Sequence, residues 1–355
     1  MNTNHQPAVA ILADDLTSAA DGAAPFVARG LAASIGRRRL PAQAAAVIAV
    51  DSGSRSATPA QASEAVAQWT AQLSSCAVLY KTVDSTLRGH VAQELEACFK
   101  ASGRTSLVFA PAFPAAGRTT VGGIQLVDGV PVAESVYGRD PVHPARHSAL
   151  ADLVPDCIPD VTLLDAATQE ELDAQVAAIE DPASALWVGS PGMALALARR
   201  FVPAKASPPS MDGRASDVLV VIGSANPRSH RQADRVREAD GVTVLRAPGA
   251  RAGDPAAVLR RIAEDAARAF QDPRFGALIA TGGDTMEAVL DLLGVREFEI
   301  LQELDPGFPL GRAWLADGRA FLLAMKAGGF GTDDALARAV ARLRGATQPL
   351  HKDAP

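Results

Sequence analysis

Apolar residues along this chain fall into short runs separated by longer segments of helical period. In the first ninety residues the runs VAILA, AAVIAV and AVLY lead into aspartate, at Asp14 and Asp15, at Asp51 and at Asp84. In the last hundred and forty, VLVVI, ALIA and FLLAM lead instead into the glycine turns GSANP, TGGDT and KAGGFGT. Short β-branched runs bounded by turn residues read as buried strands. Between them the spacing predicts a helix over 16–29, a strand starting near Leu31, and a helix over 58–73 opened by Thr58-Pro59 with Gln61 closing a capping box. Val91, Leu95, Cys98 and Phe99 recur at i, i+4, i+7 and i+8 and predict another helix. LVFAPAFP, VTLLDA and ALWVGS read as further strands, with helices capped by Thr168 and Glu171 and over GMALALARR; the Gly-rich stretch 115–144 reads as a hairpin or long loop over the strand ends. This alternation predicts an α/β protein of two domains, each built on a mostly parallel sheet flanked by helices.

The length of 355 residues agrees with two domains at roughly 100 to 200 residues each. PAKASPPSMDGRASD lacks apolar period, so the boundaries read as a first domain 1–205, a linker 206–217, a second domain 218–345 and a tail 346–355. A hydrophobic share of 48% supplies substantial cores. The net charge of −6 gives no general attraction to nucleic acid or to an anionic membrane. No apolar run approaches the roughly 18 residues of a membrane span, and MNTNHQPAV has no signal core, so a cytoplasmic protein is expected. Cys76, Cys98 and Cys157 have no metal-ligand spacing and read as reduced structural thiols.

Ligands of parallel sheets sit at the carboxyl ends of the strands, so the residues there carry the chemistry. In the first half that edge gathers Asp14, Asp15, Asp51 with Arg55, and KTVDSTLRG, which holds Lys81, Asp84, Ser85, Thr86 and Arg88. Converging carboxylates repel unless cations offset them. Arg55, Lys81 and Arg88 can do so and can also clamp an anion, arginine matching a carboxylate bidentately. A sugar acid is therefore a plausible ligand, with an aspartate accepting the proton of its reacting hydroxyl. Asp84, Ser85 and Thr86 are equally good helix caps, and that plainer role stays open. Arg118 joins from the overlying loop. His90 and His143 lie near but have no partner at metal spacing, and no metal site is assigned.

In the second half TGGDT places Gly282 and Gly283 between a strand and a helix, with Asp284 and Thr285 in the first turn. Backbone amides at a helix start bind phosphate, and glycine lets the anion approach. Asp284 with Glu287 is also an ordinary capping arrangement. KAGGFGT, with Lys326, Gly328, Gly329 and Gly331, repeats the design, and GSANP offers Ser224. Neither a P-loop nor a dinucleotide fingerprint is present.

Together, ADDLTSAAD, KTVDSTLRGH, APAFPAAGRTT, VDGVPVAES, GSANP, TGGDT, ELDPGFPL and KAGGFGT resemble the four-carbon acid sugar kinase family nearly end to end. The resemblance implies an N-terminal sugar-acid domain, a C-terminal nucleotide domain, and ATP-dependent phosphorylation of the terminal hydroxyl of threonate, erythronate or 3-oxo-tetronate. It also implies that Asp14, Asp15, Arg55 and the stretch from Lys81 to Arg88 hold substrate, while Ser224, Gly282 to Thr285 and Gly328 to Gly331 hold ATP. Ser18, His90 and Ser229 stand where the family has glycine, asparagine and threonine, and the chain is short between Gln232 and Gly276.

The expected reaction is in-line transfer from ATP with Mg²⁺, in a cleft between the domains, with Asp15 or Asp84 as base or metal-side carboxylate. Alternatives are a kinase of another small polyol acid and a sugar-acid sensor without catalysis. Expected partners are the sugar acid and ATP. Oligomeric state stays open, a homodimer being the commonest assembly.

Overall fold

The computed structural model describes residues 8–140, 142–203, 217–236, 241–248 and 254–345. The chain divides into two units, Met1–Pro209 with Arg296–Leu301, and Ser210–Val295 with Gln302–Pro355. The expected linker, except Asp217, and the expected tail lie outside the described residues. Residues 296–301 depart from the expected boundary, because the backbone of 297–300 pairs antiparallel with 33–36 in the first unit.

The first unit is a twisted sheet of short, buried strands: β1 Val9–Ala13, β2 Ala33–Arg37, β3 Val47–Asp51, β4 Val78–Thr82, and β5 Ser106–Ala110. A three-stranded sheet of β6 Arg118–Val121, β7 Ile124–Val127 and β8 Val130–Pro131 follows, and then β9 Val161–Leu163 and β10 Ala185–Gly189. The main order is β2-β3-β1-β4-β10-β5-β9, all parallel. Helices α1 Leu16–Ala28, α2 Pro59–Leu73, α3 Val91–Ser102, α4 Gln169–Ala178 and α5 Pro191–Phe201 follow β1, β3, β4, β9 and β10. The Thr58/Gln61 and Thr168/Glu171 capping boxes both form. β5 stops short of the expected strand because Pro111 follows it. Cys76 and Cys98 are buried thiols, whereas Cys157 is exposed.

In the second unit β11 Asp217–Ile222, β12 Val242–Arg246, β13 Phe275–Thr281 and, past β14 Glu297–Asp305 and β15 Phe308–Trp314, β16 Ala320–Lys326 supply the sheet. Strands β12-β11-β13-β16 are parallel neighbours, and β15 runs antiparallel to β16. ELDPGFPL turns β14 into β15 at Pro306-Gly307, where Gly307 takes φ +71 and its N–H donates to Glu303 at 2.7 Å. Helices α6 Pro227–Arg235, α7 Pro255–Phe270, α8 Gly283–Leu292 and α9 Ala335–Leu343 complete the unit. No helix of the described residues is long and apolar enough to cross a membrane.

Candidate active site

In the first unit, β3, β1 and β4 stand side by side, with Ala13 opposite Asp51 and Leu12 opposite Lys81. Their carboxyl ends therefore arrive at one level. The turn after β3 lies over β1: Ser52 N–H donates to the Ala13 carbonyl at 2.9 Å and Arg55 N–H to the Asp14 carbonyl at 3.1 Å. This sets the Arg55 guanidinium against both aspartates. Nε and Nη2 donate to Asp14 at 2.7 and 3.0 Å, Nη1 donates to Asp15, and Nη2 also reaches Ser18 Oγ at 3.2 Å. Asp15 in turn caps α1, accepting from Ser18 N–H at 2.7 Å.

The turn after β4 folds onto the same place. Asp84 accepts from Arg88 Nε at 2.6 Å and Nη2 at 3.1 Å, and from the Thr86 hydroxyl. Leu87 holds φ +56, a conformation costing an L-residue about 1–2 kcal/mol. Gly89 takes φ +92, a backbone conformation that side chains rarely adopt, so the turn requires glycine there. Burial alone would raise the Asp84 carboxyl, but Arg88 and then Arg55 outweigh it and hold it well below the usual carboxylate range. Around Arg55 the same balance holds: burial opposes its charge, while Asp14, Asp15 and Asp84 favour it.

Arg118, at the start of β6, donates to the Ala116 carbonyl and, at 2.8 Å, to the Tyr137 hydroxyl. The guanidiniums of Arg88 and Arg118 lie 5.4 and 5.7 Å from the Tyr137 ring centre, and Arg88 Nη1 is 3.6 Å from Asp140. Tyr137 and Asp140 belong to the expected loop, where the sequence does not mark them, since an aromatic in a long loop carries no period.

Two residues read as ligands from sequence are placed lower. Lys81 is fully buried, with Nζ 2.7 Å from Glu94 Oε2 and donating to the Thr82 carbonyl at 2.7 Å. Burial would lower the pKa of its ammonium, but Glu94 and Asp14 hold it above the usual lysine value. Glu94 also accepts from Ser54 at 2.6 Å, and Ser54 from Ser52 at 2.9 Å, so Lys81 supports the Arg55 turn from beneath. The signal for Glu94 was present: it falls on the apolar face of α3 with Val91, Leu95 and Cys98. Asp51, also fully buried, accepts from Gly53 N–H at 2.8 Å and shapes the turn. Ser85 is buried and its carbonyl accepts from Gln125 at 2.7 Å. His90 bonds the Ala57 carbonyl at 2.7 Å, tying α3 to the turn before α2.

In the second unit Ile222, Thr281 and Lys326 are in register across β11, β13 and β16, so GSANP, TGGDT and KAGGFGT leave the sheet together. Ser224 N–H donates to the Thr281 carbonyl at 3.1 Å and Gly282 N–H to the Lys326 carbonyl at 3.0 Å. A Cβ on Gly223 would fall 1.9 Å from Thr285 Oγ1, and one on Gly328 2.0 Å from Ser224 Oγ, so the three loops interlock only as glycines. Gly282 is the N-cap of α8 at φ +95 and no side chain caps it; Asp284 is exposed in the first turn, not at the cap. Lys326, expected among the cofactor-binding residues, turns under its own loop and donates to the carbonyls of Ala327 at 2.8 Å, Phe330 at 3.1 Å and Gly328 at 3.4 Å. Burial, with Arg228 nearby, pushes its pKa down to about 7. Among the described residues no group of three or more His, Cys, Asp or Glu could hold a metal ion.

One unit thus presents carboxylates and guanidiniums, the other glycine-lined backbone. Residues 9–159 match the model of a sugar-binding N-terminal domain and residues 250–336 that of a nucleotide-binding C-terminal domain. The chain is 32% identical to a D-threonate kinase of Cupriavidus necator, over 92% of this chain and 95% of the relative. The chain belongs to the four-carbon acid sugar kinase family. As a member of that family it is a small-molecule kinase. A 3-oxo-tetronate kinase of Pseudomonas fluorescens is 27% identical over 97% of this chain and 99% of its own. A crystal structure of a Haemophilus influenzae protein shares the fold, with TM-score 0.69 and 19% identity over 94% of this chain and all of that one. A Bordetella bronchiseptica protein, crystallised as a domain-swapped dimer with bound citrate, is 28% identical over 95% of this chain and 99% of its own, at TM-score 0.51.

Proposed function

We propose that this kinase transfers the γ-phosphoryl group of ATP to the terminal C4 hydroxyl of a tetronate, with D-threonate the first candidate. The observation that carries this reading is the sorting of chemistry between the two strand-end clusters. Arg55, Arg88 and Arg118 lie among Asp14, Asp15, Asp84 and Asp140, the mixture a hydroxy acid needs: guanidinium for its carboxylate, carboxylates for its hydroxyls. Citrate, bound by the Bordetella relative, is itself a small hydroxy acid. The interlocked loops at Ser224, Gly282 to Thr285 and Gly328 to Gly331 suit phosphates, which favour backbone amides over bulky side chains. Mg²⁺ fits this arrangement as an ion carried in with the nucleotide, since it is held by phosphate oxygens with one or two carboxylates and needs no protein cage.

The two candidate bases differ. Asp84 is committed to Arg88 and held strongly acidic, which makes it a poor acceptor for a hydroxyl proton; its role is to orient Arg88 toward the substrate carboxylate. Asp15, although itself paired with Arg55 and capping α1, is the base this reading assigns. A dimer is expected by analogy with the domain-swapped relative. An ADP-release assay across D-threonate, D-erythronate, 3-oxo-tetronates and pentonates tests the activity. Release with no tetronate, combined with tetronate-induced thermal stabilisation, would replace the kinase reading with that of a sensor. Within the same assay Asp15→Asn keeps the helix cap, asparagine capping as well as aspartate. It should lower kcat by about 10²- to 10⁴-fold, and unchanged turnover removes Asp15 from the chemistry.

A further inference from the structure

Helix α6 buries a polar face. Its inward residues are Ser229, Gln232 and Ala233, with Ser229 and Gln232 fully buried. Buried polar groups require partners, and here the partners are the carbonyls of a single loop. Ser229 Oγ donates to Gly328 at 2.9 Å, Arg228 Nη1 to Gly329 at 2.9 Å, and Gln232 Nε2 to Phe330 at 3.0 Å, Thr332 at 2.7 Å and Gly331 at 3.4 Å. Lys326 adds Ala327 from the strand side. Every carbonyl from Ala327 to Thr332 is therefore taken by a side-chain donor.

We infer that Arg228, Ser229, Gln232 and Lys326 are positioning residues that turn the acceptors of the Ala327–Thr332 loop away from the nucleotide, so that the loop meets a polyphosphate with no carbonyl facing it. A glycine loop can present either its N–H or its C=O groups to a ligand, and a phosphate tolerates only the first. Six neighbouring carbonyls satisfied by side-chain donors settle that choice before ligand arrives, which is preorganisation in the energetic sense. Gln232 is the centre of the device. Its two amide protons serve three carbonyls, and its Oε1 is buried with no partner among the described residues. Exchanging the amide's oxygen and nitrogen would set an oxygen against three carbonyl oxygens, so the donor orientation is fixed.

The inference rests on the nucleotide reading of this unit, and the test separates the two. Hydrogen exchange is followed over the peptide spanning 326–333 in the intact protein, with and without Mg-ADP. Steady-state kinetics with ATP and D-threonate are measured in parallel. Gln232→Leu should speed exchange of the ligand-free loop and raise KM for ATP about tenfold, the worth of roughly one to two hydrogen bonds, while KM for D-threonate holds. Gln232→Glu, placing a carboxylate against the carbonyls, should be worse. Arg228→Ala, at an exposed position that does not threaten folding, should give a smaller change of the same kind. Unchanged loop exchange and an unchanged KM for ATP in these variants overturn the inference. An equal rise in both KM values also overturns it, since that marks general loosening. If Mg-ADP fails to protect the loop of the unsubstituted protein, the nucleotide reading falls first and the inference with it.

Discussion

At the residue scale the first unit is governed by how its charges compensate. Asp84 is mostly buried between Arg88 and Arg55, and breaking such a pair costs about 3–5 kcal/mol because the partner charge is left behind. Its carboxyl is more acidic folded than unfolded, so near and below the ordinary value of 3.8 the unfolded chain binds the extra proton. The contribution to stability is therefore complete above that value and is lost as pH falls through the lower folded value. Asp84→Asn should lower stability by about 3 kcal/mol at pH 7. The gap from the unsubstituted protein should close as pH drops below about 4, read from Tm against pH. A constant gap would mean that the stabilisation is packing and not charge. The sequence puts Asp14, Asp15, Arg55, Asp84 and Arg88 at one edge because each follows a strand by one to six positions. It did not separate depth from edge. Lys81 and Asp51 are strand residues, and only the pairing of Lys81 with Glu94 from α3 reveals that its ammonium points into the unit.

At the element scale the turns after β3 and β4 hold the geometry. Between β4 and α3, Leu87 keeps φ +56 while its side chain packs in the core cluster with Val83, Val91, Leu95 and Val127. Leu87→Gly relieves about 1–2 kcal/mol of backbone strain, yet removes a buried leucine worth about 2–5 kcal/mol. Packing outweighs strain over most of that range, so the variant should be less stable by up to about 4 kcal/mol in denaturant melts. Its KM for the sugar acid should rise as the Asp84–Arg88 pair loosens. Equal or greater stability would show that strain, not packing, dominates the turn. Elements marked by caps or by a 3.6-residue period were legible, as at α2, α3 and α4. The polar face of α6 was legible only in part: Ser229 and Gln232 share a helical face, but the sequence cannot show that this face meets carbonyls. The hairpin of β14 and β15 hides in ELDPGFPL, whose Pro-Gly pair marks a turn without naming the strands beside it.

At the scale of the whole molecule the chain order and the spatial units disagree at one place. A division near residue 205 follows from the composition of the stretch before β11, and composition carries no information about a strand that returns from 297 to pair with β2. That return matters energetically. Strand β2 is buried along its whole length, paired with β3 on one side and with residues 297–300 on the other. A fragment ending at residue 203 would bare one row of its backbone N–H and C=O groups beside Ile35 and Ala33, the kind of open, apolar edge that recruits a strand from another copy. The fragment should therefore elute from size-exclusion as soluble aggregate or melt well below the intact protein. Adding a peptide of residues 296–301, or fusing that segment to the fragment, should restore part of the loss by capping the edge. A monodisperse fragment with the thermal stability and D-threonate affinity of the full chain would show that the first unit is complete without the returning strand, and the sequence boundary would then be the functional one.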